Sequence, residues 1–394
     1  MSATLTALHE QIEEPRPWLR HLRRAAFERF TSLGFPTTHN EDWKYTNVTP
    51  FTKIPFERSR TPAPRSLALP KGATVTTLAQ ALETEPGLLE EHLARYAGFH
   101  NNAFVALNTA FMSDGVLIRI PNGAVIEEPI HLVFISDEQD RPTVSYPRTL
   151  ILAGRNSQAA IIEEYRGADG SLYFTNAVTE LVAGEGAVIE HYKLEKEGDR
   201  ALHFGAFEVR QARSSIFTSH SIALGGALVR NELNVVLDGE GAECALNGLY
   251  VAGGQQHIDN YTTLDHAQPR TTSYELYKGI LDGSAQGVFH GRIIVRQDAQ
   301  KTDAIQRNKN LLLSGKAVIN TKPQLEIYAN DVRCTHGATV GQVDPEALFY
   351  LRSRGIGHQD ARNLLTYAFA SEMIERMKFE PLRSRLEEVL HERC

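Results

Sequence analysis

The segment "VLDGEGAECALNGLYV", residues 236–251, decides the fold class of this chain. An aliphatic strand end leads into a turn that contains two glycines, and a new strand follows. Similar strand–turn–strand segments occupy residues 181–194, 280–295 and 312–329. Glycine suits such turns because the backbone must bend sharply there, often with a positive φ. Repeated units of this kind bury their apolar faces by stacking on one another.

The strands form one block that extends from about residue 100 to Gly341. Further strands are predicted from the segments "VLIRIP", "LVFISD", "AIIEEYRG", "VIEHYKLEKE", "NELNVVLDG" and "GRIIVRQ". No convincing amphipathic helix interrupts the block, which excludes a doubly wound α/β sheet. We therefore predict a mainly β fold, with a β-helix favoured. A sandwich or a jelly roll stays open because the spacing of the repeats is irregular.

The two ends of the chain are predicted to be helical. Apolar residues at spacings of three and four predict an N-terminal helix, which begins near Pro17 and ends at Gly34. Its apolar face consists of Leu19, Leu22, Ala26, Phe30 and Leu33. The proline-rich segment 61–72 is expected to be a connector.

At the C-terminus, a helix with Asp360 near its start is followed by a last helix after Pro381. The first has an expected apolar face of Ala361, Leu364, Leu365, Ala368 and Phe369, and the second one of Leu382, Leu386 and Val389. The predicted regions are an N-terminal helical region (1–100), a β-helix core (101–343) and a C-terminal helical domain (344–394).

Composition limits the function. The chain has 394 residues, and 41 basic against 48 acidic residues give a net charge of −7, which argues against general nucleic-acid binding. Without a membrane-spanning run or a secretory signal, we expect a cytoplasmic protein with no membrane partner. Only Cys244, Cys334 and Cys394 occur, and they form no CxxC pair. A closed zinc site or a four-cysteine cluster is therefore not expected from one chain.

Common catalytic motifs are missing. The segment "LLSGKAV" lacks the earlier glycine and the following hydroxyl of a phosphate-binding loop, and neither G-x-S-x-G nor H-E-x-x-H occurs. The polar segment "GQQHIDNYTTLDH" contains His257, Asp259, Asp265 and His266, and we interpret it as a solvated sheet face. The alternative is a β-helical polysaccharide lyase, for which the pair Asp259 and Asp265 is the only support and a weak one.

The segment "YANDVRCTHGATVG", residues 328–341, contains the best candidate site. Cys334 and His336 are two residues apart on a predicted strand, so their side chains share one face. Thiolate and imidazole suit iron and zinc, but two ligands require completion by another face or another chain. The alternative is a purely structural role, in which the cysteine is a small buried residue of a β-helical homodimer.

The flanking sequence resembles a known family. Residues 306–356, "QRNKNLLLSGKAVINTKPQLEIYANDVRCTHGATVGQVDPEALFYLRSRGI", closely resemble the C-terminal signature of the SufD branch of the SufB/SufD family. The segment "EDWKYTNV", residues 41–48, resembles the N-terminal region of that family. The family belongs to the SUF iron–sulfur cluster assembly system. The resemblance implies a right-handed parallel β-helix with helical ends.

The resemblance also implies partners. It predicts a non-catalytic scaffold subunit that pairs with SufB through the β-helix and binds the ATPase SufC through its C-terminal helices. The residues implied in ATPase binding are Arg354, Leu364, Leu365 and Phe369. A homodimer of the isolated chain stays possible, and no nucleic acid is expected.

The resemblance assigns His336 to the SufB interface, as a ligand to iron or to a nascent cluster, with Cys334 as the neighbouring candidate. No permanently bound cofactor is implied, only transient iron or a nascent iron–sulfur cluster. SufB-like chains have a glutamate where this chain has Gly337, and a cysteine in the preceding turn where this chain reads "VINTKPQ". These differences argue against SufB itself and against a chain that holds a cluster alone.

Overall fold

The computed structural model describes residues 14–59, 65–68, 70–112, 114–138 and 140–393. Within these ranges the helices lie at the two ends of the chain. They are α1 (Pro17–Leu33), α2 (Leu78–Thr84), α3 (Pro86–His92), α4 (Ala103–Phe111), α5 (Pro345–Ser353), α6 (His358–Ile374) and α7 (Glu380–Arg393). Two 3₁₀ turns occupy Glu41–Trp43 and Phe51–Lys53.

The strands fill the middle of the chain. In order they are β1 (Glu57–Arg58), β2 (Arg65–Ala68), β3 (Thr74–Thr77), β4 (Asp114–Ile120), β5 (Ile130–Ser136), β6 (Thr143–Ser145), β7 (Pro147–Ala153), β8 (Gln158–Gly167), β9 (Tyr173–Ala183), β10 (Val188–Lys196), β11 (Leu202–Gln211), β12 (Ile216–Ala223), β13 (Leu228–Leu237), β14 (Glu243–Ala252), β15 (His257–His266), β16 (Thr272–Leu281), β17 (Gln286–Val295), β18 (Asp303–Leu312), β19 (Val318–Ile327) and β20 (Arg333–Gly341). The predicted connector at 61–72 was wrong for residues 65–68, which form β2. Residues 61–64 and 69 of it lie outside the described residues.

The strands form two sheets between which the chain alternates. Sheet A has the parallel order β4-β7-β9-β11-β13-β15-β17-β19, and sheet B has the parallel order β5-β8-β10-β12-β14-β16-β18-β20. Each coil adds one strand to each sheet, so the molecule is a parallel β-helix of about eight coils. This confirms the favoured prediction. It excludes the sandwich and the jelly roll, because those folds pair their strands antiparallel.

The coils differ in length, which explains the irregular repeat. Successive Cα partners in sheet B are Val188, Ile216, Glu243, Thr272 and Asp303, so the coils span between 27 and 31 residues. One corner nevertheless repeats the same turn, with one residue in the left-handed region in each coil. These residues are Asn156, Gly186, Ser214, Gly241, Arg270 and Lys301. Because the turn tolerates side chains other than glycine, a search for glycine alone misses four of these six members.

The interior of the β-helix is not wholly apolar. His203 lies between Glu195 and Glu197, with its ring nitrogens 3.0 and 2.8 Å from their carboxylate oxygens. Burial alone favours the neutral carboxyl, but the Lys193 ammonium and the His203 ring lower the pKa of Glu195 to about 2. The charged groups of this interior cluster are thus held by partners of opposite sign.

The N-terminal region packs on the outer face of sheet A. Phe104 of α4 stacks on Phe204 of β11, with ring centroids 4.1 Å apart. The predicted face of α1 is largely confirmed, since Leu19, Ala26 and Phe30 are buried, whereas Leu33 is 37% exposed. The predicted helix end at Gly34 is also confirmed, with φ at 65°.

The C-terminal helices α6 and α7 pack on the outer face of sheet B. They bury an apolar cluster that includes Ile374 and Leu386 together with Leu249 and Leu276 of the sheet. The predicted face of α6 was partly wrong. Its buried residues are Ala361, Thr366, Ala370, Met373 and Ile374, whereas Leu364 and Ala368 are exposed. The helix has small and apolar residues on several of its faces, so the periodicity of the sequence did not define which face is buried.

Candidate functional site at the open end of the β-helix

The two ends of the β-helix differ. At the start, the antiparallel strands β3 and β2 extend sheets A and B beyond the first parallel coil. At the other end, β19 and β20 are the last strands of their sheets, and each has a neighbour on one side only among the described residues. The exposed apolar side chains here are Val318, Ile327, Tyr328 and Val340. We call this surface the open end.

His336 and Cys334 both lie on β20. Their Cα partners on β18 are Gln306 and Ala304, whose side chains are buried inside the coil. Because side chains alternate along a strand, both candidates are on the interior-facing side of β20. The predicted shared face is therefore present at the open end.

The two candidates differ in exposure. Cys334 is partly buried against the main core, whereas His336 is exposed and makes no hydrogen bond or ion pair among the described residues. Burial, assisted by the nearby Asp303 carboxylate, raises the pKa of the Cys334 thiol. At neutral pH the thiol is thus protonated, so the imidazole is the more available ligand.

Below His336, the interior is polar. Gln306 Nε2 donates a hydrogen bond to Glu275 Oε2 over 2.7 Å, and both side chains are fully buried. Burial raises the pKa of Glu275 to about 7. Among the described residues, the Oε1 atoms of Gln306 and Glu275 have no hydrogen-bond partner. Sequence reasoning missed both residues, because only the coil register places them under His336.

Within the described residues, no group of three or more His, Cys, Asp and Glu side chains is arranged to hold a metal ion. Cys244, the other described cysteine, is buried, and burial raises the pKa of its thiol well above the ordinary value. His336 and Cys334 are thus two ligand candidates without a third among the residues that the structure describes.

The polar segment around Asp259 is not solvated, so that prediction was wrong. Asp259 is 1% exposed and His266 is 0% exposed. Asp259 forms a buried ion pair with Arg230 and accepts a hydrogen bond from the hydroxyl of Thr46 over 2.6 Å. The N-terminal segment 41–48 covers this face, which sequence periodicity alone did not indicate.

The same N-terminal segment extends to the open end. The Arg230 guanidinium lies 3.9 Å from the centroid of the Trp43 ring, and Tyr261 donates a hydrogen bond to Asp42. Glu41 pairs with Lys322 of β19 over 2.8 Å. Segment 41–48 therefore connects the N-terminal region to the last strand of sheet A, which explains why its polar and aromatic residues are clustered.

A second surface lies on α5, which buries none of its residues. Phe349 is 74% exposed and Tyr350 is 57% exposed, and the Arg354 guanidinium lies 5.1 Å from the Tyr350 ring centroid. Leu364 of α6, at 47% exposed, is a further apolar residue of this C-terminal region. We refer to Phe349, Tyr350, Arg354 and Leu364 as the α5 surface. Phe349 and Tyr350 were not among the predicted binding residues.

The other two predicted binding residues are less accessible. Leu365 is half-buried, and Phe369 packs against the cluster between α6 and sheet B. The Lys278 ammonium donates a hydrogen bond to the Phe369 carbonyl over 2.7 Å and lies 4.2 Å from its ring centroid. Phe369 thus has a structural role in fixing α6 to the β-helix.

No helix among the described residues is long and apolar enough to cross a membrane.

Comparisons with known proteins agree over most of the chain. The family described as the SUF system FeS cluster assembly SufBD core domain matches residues 134–369, and the SufBD protein N-terminal region matches residues 6–61 and 57–132. The iron–sulfur cluster assembly protein SufD of Escherichia coli K12 is 33% identical over 380 residues, which cover 91% of this chain and 89% of that protein.

Two further relatives give the same result. An iron–sulfur cluster assembly SufBD family protein of Synechocystis is 31% identical over 401 residues, covering 92% of this chain and 88% of the relative. The SufD protein of Bacillus subtilis is 25% identical over 426 residues, covering 98% and 96%. Together with the β-helix and its flanking helical regions, these matches show that the chain belongs to the SufBD family of the SUF iron–sulfur cluster assembly system.

Proposed function

We propose that this chain is a non-catalytic scaffold subunit that pairs with SufB through the open end and supplies His336 to a nascent iron–sulfur cluster. The single observation that supports this is the position of His336: it lies exposed on the last strand of sheet B and has no hydrogen-bond or ion-pair partner within the described part of the chain. The cluster is the cargo of the assembly process and not a resident cofactor of this chain. In this proposal, assembly takes place in the cytoplasm.

The strand edges support pairing with another β-helix. β19 has 10 residues and β20 has 9, and no described strand covers their outer edges. Long uncovered edges offer rows of backbone N–H and C=O groups to another strand. A second β-helix placed end to end continues both sheets and covers Val318 and Val340.

The ligand chemistry fits a shared, temporary site. A neutral imidazole contributes one nitrogen ligand near neutral pH. A cluster that must be released to acceptors is better held by an incomplete set of ligands from two chains than by a closed four-thiolate cage. Cys334, with its raised pKa, is the secondary candidate and needs a metal or a cation nearby to ionise.

The ATPase SufC docks on the α5 surface in this proposal. Phe349 and Tyr350 supply aromatic contact area, and Arg354 supplies a charge beside it. Aromatic residues and arginine carry much of the energy of protein interfaces. Leu364 and Leu365 extend the contact surface. Phe369 links this surface to sheet B, because the Lys278 ammonium donates a hydrogen bond to its carbonyl. Helices α6 and α7 cover the outer face of sheet B and not the open end.

The test is co-expression with SufB and SufC, followed by anaerobic purification and iron and sulfide analysis. Wild type is compared with His336→Ala. The control is His39→Ala, which changes an exposed histidine that is distant from His336 in the sequence. We expect all three complexes to assemble and only His336→Ala to lose its cluster. A cluster that is undiminished in His336→Ala contradicts the ligand role.

The competing function is a structural homodimer without a metal role. The same open end supports it, because two copies of one edge also pair. Sedimentation of the isolated chain at several concentrations, without and with SufB, separates the two. Replacement of a homodimer by a heterodimer supports the proposal, whereas a homodimer that SufB leaves unchanged supports the structural alternative.

A further inference from the structure

Three interior residues of sheet B form a column that ends at the open end. Glu275 of β16, Gln306 of β18 and His336 of β20 are successive Cα partners. Neighbouring strands lie about 4.8 Å apart, so side chains at partner positions on one face are direct neighbours. Gln306 is therefore the first buried side chain beneath His336.

The side chain of Gln306 has a defined orientation. Its Nε2 donates a hydrogen bond to Glu275 Oε2, which directs the amide nitrogen toward the preceding strand, β16. Opposite it lies Gly291 of sheet A, where an added Cβ would be 2.3 Å from Gln306 Nε2 and 2.8 Å from its Cδ. The missing side chain at Gly291 thus provides the space that this amide occupies.

This arrangement leaves an acceptor without a partner. Gln306 is 0% exposed, and its Oε1 accepts no hydrogen bond from any residue that the structure describes. A buried polar atom without a partner is energetically unfavourable, so it calls for an explanation. On the open side, the neighbouring interior-facing position belongs to His336, whose ring N–H is also without a partner among the described residues.

We propose that Gln306, oriented by Glu275, positions the His336 imidazole. Its Oε1 accepts a hydrogen bond from the N–H of one ring nitrogen, so that the other ring nitrogen faces the bound iron. This inference rests on the proposed function of His336 and adds two residues to it. Gln306 and Glu275 touch neither iron nor sulfide and are positioning residues. The contact forms when a partner covers the open end and the exposed ring turns inward.

The physical reason lies in the two nitrogens of imidazole. A neutral ring has one N–H donor and one acceptor nitrogen, and the hydrogen bond at one nitrogen selects which of them binds metal. Gln306 Oε1 can accept a hydrogen bond from such an N–H group, but a flipped amide would present its own N–H groups instead. Glu275 Oε2 accepts a hydrogen bond from Gln306 Nε2 and so favours this orientation, most strictly above pH 7, where the ionised carboxyl group has no proton to donate to a flipped amide oxygen.

The experiment uses the complex with SufB and SufC and measures nitrogen coupling to the reduced cluster by electron spin echo spectroscopy. Wild type should show a histidine nitrogen coupling that His336→Ala removes. Gln306→Met keeps the size of the side chain but removes the acceptor. We expect this substitution to lower the iron content of the complex about 10-fold, because residues that hydrogen-bond to a metal-bound histidine typically have effects of this size. We also expect it to change the histidine nitrogen coupling of the cluster that remains.

Conservative replacements provide the rescue. Glu275→Gln keeps an acceptor for Gln306 Nε2 and should preserve the wild-type coupling, whereas Glu275→Leu should resemble Gln306→Met. The matched control is Asn308→Leu, because Asn308 is a buried interior amide on the same strand that faces Ala338 rather than His336. It should leave the coupling unchanged even if it lowers the unfolding temperature.

The outcomes separate this inference from the proposed function. If wild type and His336→Ala show the same coupling, His336 is not a ligand and the proposed function itself is wrong. If His336→Ala removes the coupling but Gln306→Met matches wild type in coupling and iron content, only the positioning role is wrong. If Asn308→Leu has the same effect as Gln306→Met, the effect comes from the interior packing and the inference is also wrong.

Discussion

Arg148 and Glu180 form a fully buried ion pair on the outer face of sheet A, with Arg148 Nη2 2.6 Å from Glu180 Oε1. The same carboxylate accepts the backbone N–H groups of Ala94, Tyr96 and Ala97 at distances between 2.8 and 3.0 Å. Ala94 itself has a φ of 59°, in the left-handed region. One charged side chain of the β-helix therefore fixes the segment between α3 and α4.

Glu180→Gln should destabilise the protein strongly. Removing one member of a buried ion pair leaves the other charge without compensation, at a cost of about 3–5 kcal/mol. Denaturant unfolding measures the change. Glu57→Gln is the control, since Glu57 pairs with Arg141 on the surface, and it should leave the unfolding midpoint unchanged. Equal midpoints for both variants would contradict the structural role of Glu180.

Gly186→Ala should destabilise through the backbone. Gly186 has a φ of 66°, and an added Cβ would lie 2.3 Å from Asn156 Oδ1. A side chain in the left-handed region costs about 1–2 kcal/mol. Gly315→Ala is the matched control in another turn, because no atom lies within 4 Å of its added Cβ and its φ is not positive. The measurement is again the free energy of unfolding, and a stable Gly186→Ala variant would exclude strain at this corner.

Glu275 should make stability depend on pH. Its pKa of about 7 in the folded state exceeds the ordinary value of 4.5, so the folded protein binds the proton more tightly than the unfolded chain. The stabilising contribution is complete below pH 4.5 and is lost as the pH rises through about 7. Glu275→Gln should therefore be more stable than wild type at pH 8, by an amount on the order of 3 kcal/mol.

The measurement for Glu275 is the free energy of unfolding of both proteins at pH 5 and pH 8. The advantage of Glu275→Gln should be larger at pH 8, since only there does wild type contain a buried carboxylate charge. A difference that is the same at both values would mean that Glu275 does not titrate between them.

Phe349→Asp should abolish SufC binding without affecting the fold. Phe349 is 74% exposed on a helix that buries no residue, so the fold does not depend on its side chain. Pull-down of SufC and the unfolding temperature are measured together. Val125→Asp is the control, because Val125 is also a highly exposed apolar residue, at 60%. Normal SufC binding by Phe349→Asp would place the ATPase elsewhere.

Val340→Lys should weaken the pairing with SufB. Val340 lies on β20 at the open end, where it is 50% exposed, and lysine on an edge strand opposes strand addition. Analytical ultracentrifugation of the mixed subunits gives the dissociation constant, which we expect to rise. Tyr350→Lys on the α5 surface is the comparison, and it should leave SufB pairing unchanged. If both variants pair normally with SufB, the open end is not the interface.

Several features followed from the sequence alone. Glycine-containing turns and strands such as "GRIIVRQ" favoured the β-helix but left a sandwich or a jelly roll open, because each coil repeats the same local requirements for a bend and an apolar face. The start of α1 at Pro17 and its end at Gly34 were equally local. The choice of Cys334 and His336 depended only on their spacing along one strand and on the family resemblance.

Other features were decided by the tertiary structure. The coils vary between 27 and 31 residues, so the sequence did not reveal that Glu275 and Gln306 lie beneath His336. Asp259 was assigned to solvent because its cover, Thr46, is 213 residues away in the sequence. Local propensity and alternation act over a few residues, whereas burial and charge compensation depend on which distant segments meet.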